Sequence, residues 1–146
     1  MTITRTWLDA EPAIVERLRQ KFAGTGVSVM LEVDAPDALP IPCVVVRYTG
    51  YRVLQSQPGG RQAKLRATWQ ALVVDRNGAE IDAAGPARAR MSDMCAATLM
   101  AVMGMRIPGF PTAVELTEAP GAFVEAGLLF HPTAFSLDFV AISDAT

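Results

Sequence analysis

Apolar and polar residues alternate along much of the chain, which is the pattern of β-strands that bury one face. The alternation is clearest over residues 64–75, where one face carries Leu65, Ala67, Trp69, Ala71 and Val73. The other face is polar in its first half and apolar in its second half. We therefore predict a strand whose second half runs into the centre of a sheet and is buried on both faces.

The preceding apolar run, residues 43–54, predicts the strand that pairs with it as a hairpin. Three consecutive valines without alternation are typical of a strand buried on both faces. Gly50 lies within this run and predicts a bulge or a kink. Residues 56–62, between the two strands, contain two glycines, a proline and no core-forming residue, so we predict an exposed hairpin loop.

Shorter alternating segments predict four further strands. Residues 27–33 alternate cleanly, with Val33 on the apolar face. Residues 113–118, 123–130 and 135–142 show the same pattern. The last two are expected to be separated by a turn at His131-Pro132-Thr133, because proline is disfavoured inside a sheet. Another turn is expected at residues 75–78, which read Asp-Arg-Asn-Gly.

Two segments have helical periodicity instead. Ile14, Leu18 and Phe22 recur at four-residue spacing and predict an amphipathic helix with Asp9 as its N-cap. A second helix is expected to open at Pro86, since proline is tolerated at the first helical position. Its methionines belong either to a core lying on the sheet or to a plastic partner-binding surface: Met91, Met94, Met100, Met103 and Met105.

Composition and charge narrow the function classes. The 146 residues are expected to form one domain, residues 1–146, and the balance of 51% hydrophobic to 19% charged residues suggests apolar surface facing a partner or a large core. The net charge of −2 argues against a protein that depends on neutralising phosphates, so Arg17, Arg19 and Lys21 are interpreted as a solvated helix face. Neither a signal peptide nor a membrane span is expected.

Candidate catalytic chemistry is sparse. His131 is the one histidine of the chain, and it is expected to lie exposed in a turn. Asp34 and Asp37 are interpreted as turn residues of a proline-containing loop, and Cys43 and Cys95 as buried free thiols. We predict no catalytic residue, metal site or cofactor, although paired carboxylates that meet only in the folded chain would leave no pattern in sequence.

The order of these parts resembles a known family. An amphipathic helix precedes a strand and the segment LPIPCVVVRYTGY; the strand LRATWQALVVDRNG then precedes the helix ARARMSDMCAATLMAVMGM, and FSLDFVAI ends the pattern. In order, size and pattern the chain is similar to tail terminator and tail-completion proteins of long-tailed bacteriophages, including those of Mu-like prophages and lambda-type minor tail proteins. The resemblance implies an α+β fold, in which a mainly antiparallel, mixed sheet carries two main helices packed on one side.

The same resemblance implies a structural protein without catalytic residues. Such proteins form a homohexameric ring that caps the tail tube and joins it to head-completion proteins, so the expected partners are the chain itself, the tube protein and a head-completion protein. The expected locations are the bacterial host cytoplasm during assembly and then the virion tail. Contact with a neighbouring subunit or the tube is expected at six polar residues, which we call the hairpin arm: Gln57, Arg61, Gln62, Lys64, Arg66 and Thr68.

Two other functions remain open from the residues alone. A small hydrolase with a site built from scattered acids and His131 would show a deep pocket with converging polar groups. A monomeric adaptor would bind a peptide along an open sheet edge. None of the three functions is expected to involve a membrane or sequence-specific nucleic acid.

Overall fold

A computed structural model of the protein describes residues 7–77 and 86–144. Two helices and six strands make up these segments. In chain order they are α1 (Ala10–Lys21), β1 (Ser28–Leu31), β2 (Cys43–Ser56), β3 (Gln62–Arg76), α2 (Pro86–Val102), β4 (Glu115–Thr117), β5 (Phe123–Glu125) and β6 (Leu128–Ile142). Short 3-10 helices precede α1 at Trp7–Asp9 and follow β1 at Glu32–Asp34.

The strands form one mixed sheet in the order β1-β2-β3-β6-β4, and β5 also pairs with β6. Only β1 and β2 run parallel, while the other pairs are antiparallel. Both helices pack on one face, which we call the inner face, and share its main core cluster. A smaller cluster on the opposite, outer face is built from strand and loop residues, including Cys43, Val45, Leu72 and Val74. The predicted α+β fold is confirmed.

The central strand is β3, because it is paired on both sides along nearly its whole length. Its alternating apolar face lies in the main core, where Trp69 is only 1% exposed. Its outer-face residues Leu72 and Val74 are buried as well. The prediction of a strand that becomes buried on both faces in its second half is therefore confirmed, and this strand fixes the position of the others.

The first strand of the hairpin, β2, is buried only in its first part. Cys43–Val46 are at most 4% exposed, and they are the residues that pair with β1. The residues beyond Tyr48 are mostly exposed, so burial on both faces was predicted for too long a segment. The predicted bulge is confirmed, since the register against β3 shifts between Tyr48 and Gly50, and Gly50 has a φ of +115°.

The turn predicted at His131-Pro132-Thr133 is wrong, because β6 runs through these residues without interruption. β5 pairs with Leu128–Phe130 and β4 with Ala134–Ser136, so Pro132 lies between the two paired segments on that edge. A proline fits an antiparallel strand where its nitrogen faces away from the ladder. The real turn comes earlier, at Ala126-Gly127, where both residues have positive φ. The single strand predicted over residues 123–130 is therefore wrong, because the turn divides it between β5 and the start of β6.

Three shorter predictions also need correction. Val33 lies in the 3-10 helix after β1 and is 86% exposed, so it does not continue the apolar face of that strand. Asp9 is the N-cap residue of α1, as predicted, but its side chain forms no capping hydrogen bond. Asp75 belongs to β3 and is fully buried, whereas Gly78 of the predicted turn at residues 75–78 lies outside the described residues.

The helices otherwise follow their patterns. Ile14, Leu18 and Phe22 are buried, and α2 begins at Pro86. The methionines were predicted to belong either to the core or to a partner-binding surface, and they are divided between the two environments. Met91 and Met94 lie in the core, while two others are more than half exposed. The exposed pair is Met100 and Met103.

The basic residues of α1 hold the helix in place. The Arg17 side chain donates a hydrogen bond of 3.0 Å to the carbonyl oxygen of Ala101 in α2. Arg19 donates one of 3.2 Å to the carbonyl oxygen of Val29 in β1. These contacts join α1 to both of its neighbours and give the two arginines a structural role.

Candidate assembly surface

The hairpin arm occupies the tip of the β2–β3 hairpin and the outer face of β3. Gln57 and Arg61 are exposed in the connecting turn. The other four residues recur at every second position of β3 and therefore share the outer face: Gln62, Lys64, Arg66 and Thr68. The structure thus brings the predicted residues together on one continuous polar surface, away from both helices.

A carboxylate of β6 fixes the cations of this surface. Arg66 and Asp138 lie directly opposite each other in the antiparallel register. The Arg66 guanidinium donates two hydrogen bonds to the Asp138 carboxylate, at 2.7 and 3.1 Å, and the Lys64 ammonium is 3.9 Å from it. The hydrogen bond to Asp138 raises the pKa of Arg66 above its ordinary value, and the negative charges of Asp138 and Glu115 add to this effect.

The hairpin turn is held by backbone hydrogen bonds. The Gln57 amide donates to the Gln62 carbonyl at 2.9 Å, and the Gly60 amide donates to the Gln57 carbonyl at 3.0 Å. Gly59 and Gly60 both have positive φ, which glycine adopts without strain. The turn is also tied to the chain beyond β6, because the Ser143 amide donates to the Arg61 carbonyl at 2.7 Å.

Two shallow grooves follow the hairpin arm. The larger, of about 380 Å³, includes Arg66 and Thr68 in its lining together with residues of β2 and the end of β4. The smaller, of about 160 Å³, includes Gln57, Gln62 and Lys64. Both are open surface features, whereas the hydrolase interpretation predicts a deep pocket.

Sequence reasoning missed the contribution of β2 and β4 to this surface. The larger groove is lined by Thr49, Gly50, Tyr51, Arg52, Arg66, Thr68, Gln70, Thr117 and Glu118. Tyr51, which is part of this lining, is 56% exposed although it lies within an apolar run. The signal that could have revealed the contribution of β2 is the bulge at Gly50, since a bulge bends a strand away from its regular course.

The candidate catalytic residues do not meet at a common site. His131 is exposed in β6 opposite Val73, and it lines neither groove of the hairpin arm. Within the described residues, no three His, Cys, Asp or Glu side chains are grouped so that they could hold a metal ion. Both cysteines are free thiols as predicted, but only Cys43 is buried, whereas Cys95 is partly exposed. Burial raises the pKa of Cys43 and of Cys95 to about 11, and for Cys43 the charge of Asp75 adds to this.

None of the described helices combines the length and the apolar character that crossing a membrane requires.

Comparison with known proteins assigns the chain to a family. No curated protein matches the sequence. The chain is similar to a solved structure at 17% identity and a TM-score of 0.49, over 97% of this chain and 99% of that one. The family model described as "Phage tail terminator protein" matches residues 4–145, which is nearly the whole chain. The chain therefore belongs to the phage tail terminator family and is a structural protein of the phage tail.

Proposed function

We propose that this protein forms a homo-oligomeric ring, expected to be a hexamer, that caps the tail tube and joins it to head-completion proteins. The observation that carries the proposal is the family match over residues 4–145. Assembly takes place in the cytoplasm of the bacterial host, and the ring remains in the virion tail. The proposal also treats residues 1–146 as one domain, which the shared core of both helices and the sheet supports.

The shape of the outer face supports an assembly role. It is mostly polar along the hairpin arm, and its charges are ordered by the pairing of Arg66 with Asp138. Pre-ordered side chains lose less conformational entropy when a partner binds. The hairpin arm is therefore the surface that we assign to contact with a neighbouring subunit or with the tube.

Tube capping can be measured directly. Tube protein polymerised alone is expected to give tubes of indefinite length, because nothing stops subunit addition. Adding this protein during polymerisation is expected to shorten the tubes and to place a ring at one end, as seen by negative-stain electron microscopy. Unchanged tube length, together with tube ends that lack a ring, would contradict the proposed function.

A further inference from the structure

Charged residues are unevenly distributed between the β2–β3 hairpin and the segment that contains β4 and β5. Between Asp37 and Asp75 the chain carries five basic residues and no acidic residue: Arg47, Arg52, Arg61, Lys64 and Arg66. Residues 107–137 carry three acidic residues and no lysine or arginine: Glu115, Glu118 and Glu125. The first segment forms the β2–β3 hairpin, and the second contains β4 and β5 on the other side of β6. The hairpin segment therefore carries only basic charges and the β4–β5 segment only acidic ones, although Arg47 at the start of β2 is paired with Glu32, at 3.5 Å.

The register places an acid and a base at similar heights on these two sides. Glu115 pairs with Ser136, Ser136 with Thr68, and Thr68 with Gly50, so these four residues form one row across the sheet. Arg52 is two residues further along β2, which is about 7 Å in an extended strand. A copy placed beside the first at the same height would bring Arg52 of one close to Glu115 of the other.

The β2 edge is open for such a neighbour. β1 pairs only with Cys43–Val46, so among the described strands none pairs with this edge from Arg47 to Ser56. Arg52 lies opposite Arg66, which is already paired with Asp138, and no described residue forms an ion pair with Arg52. Two cations directly opposite each other on a sheet are unfavourable. An acidic group from outside would relieve this repulsion.

Apolar side chains accompany the charges on both sides. Tyr51 and Val53 are more than half exposed beside Arg52. Leu116 is 49% exposed and Val124 is 53% exposed on the acidic side. Interfaces combine a desolvated apolar centre with charged residues that select the partner. Each side of the sheet carries both components.

We propose that the basic β2 edge of one copy docks against the acidic β4–β5 edge of the next copy, with Arg52 facing Glu115. This inference rests on the proposed ring function and names the surfaces that would build the ring. Two different surfaces meet at each contact, so the association is head-to-tail, and such contacts close into a ring when the rotation between copies allows it. β2 runs antiparallel to β4 within one copy, so the two edges are also oriented to continue an antiparallel sheet.

Charge reversal on the two edges tests this docking. Arg52→Glu and Glu115→Lys each place like charges at every contact, and each alone is expected to weaken self-association at least tenfold. An equimolar mixture of the two variants is expected to restore self-association. When the variants alternate around the ring, the two reversed charges attract each other at one contact, and the next contact contains the native pair of Arg52 and Glu115. Light scattering after size-exclusion measures the assembly; if the native protein assembles only on tubes, rings at tube ends are counted instead.

The controls separate the possible failures. Circular dichroism on heating checks that both variants fold, which is expected since both side chains are exposed, and Arg52→Gln provides a neutral variant. Native rings that persist in either reversal variant, or single losses that mixing does not restore, would overturn the edge-to-edge docking alone. A native protein that assembles neither by itself nor on tubes would overturn the proposed function and this inference with it.

Discussion

The buried carboxylate of Asp75 joins helix α2 to the central strand β3. It is fully buried in β3, and the half-exposed Arg90 of α2 donates hydrogen bonds of 2.6 and 2.7 Å to its two oxygens. The backbone amide of Arg76 donates a further bond of 2.8 Å to the same carboxylate. The hydrogen bond to Asp75 raises the pKa of Arg90 above its ordinary value, although burial opposes the effect. The pair fastens α2 to the central strand.

Removing the arginine is expected to cost more than the contact itself contributes. Arg90→Ala leaves a buried carboxylate without its cation, and the free energy of unfolding should fall by about 3 kcal/mol. Arg90→Lys keeps the charge but loses the two-point geometry, so a smaller loss is expected. Urea denaturation followed by tryptophan fluorescence measures both variants. An Arg90→Ala protein within about 0.5 kcal/mol of the native stability would contradict this role, since changes of that size are typical of neutral surface sites.

At the scale of elements, the bulge in β2 depends on a conformation that suits glycine. Gly50 has a φ of +115°, and a Cβ atom there would meet nothing within 4 Å, so the cost of a side chain comes from the backbone alone. Gly50→Ala is expected to lower the free energy of unfolding by about 1–2 kcal/mol. Gly121→Ala is the matched control, because that glycine has equal space and no positive φ. Equal stability of the two variants in thermal unfolding would show that the bulge tolerates a side chain.

The sequence predicted the elements well where the local pattern and the tertiary environment agree. The alternation of β3 and the spacing of Ile14, Leu18 and Phe22 reflect one buried face each, and both appear as expected. The turn at Pro132 was predicted wrongly because proline disrupts a strand only where its nitrogen faces a pairing neighbour. The direction of that nitrogen is set by the register of β6 against β3. Asp75 was misassigned because its partner Arg90 lies fifteen residues away.

The assembly surface was predictable only in part for a similar reason. The polar side chains of the hairpin arm are visible as alternate residues of one strand. The fixing of Arg66 by Asp138, which is 72 residues away, depends on how β3 and β6 pair. The acidic side of the sheet likewise becomes a surface only when β4 is placed beside β6. Charged residues that are far apart in sequence therefore come to share one surface only through the order of the strands in the sheet.

At the scale of the whole molecule, the hairpin turn can be shortened at the cost of only the outermost contacts of the sheet, which are the pairing of Gln62 with Ile142 and the hydrogen bond from Ser143 to Arg61. Ser56 pairs with Ala63, so replacing residues 57–62 by Asn-Gly leaves a two-residue loop between paired positions. The fold is expected to survive, whereas ring formation or capping should be impaired because Gln57, Arg61 and Gln62 are removed. Thermal unfolding checks the fold and electron microscopy of capped tubes measures assembly. Normal capping by a well-folded shortened protein would refute the contact role of the turn.

The long pairing of β3 with β6 also constrains how the chain acquires its structure during synthesis. Residues 77–127 separate the two strands, so the ribosome must make all of them before the central strand can be covered on its second side. During that interval β2 and β3 can already form their hairpin, because its strands are adjacent in sequence and close a short loop. The open edge of β3 is then exposed to other nascent chains. Slow translation of residues 77–127 should therefore favour aggregation over folding.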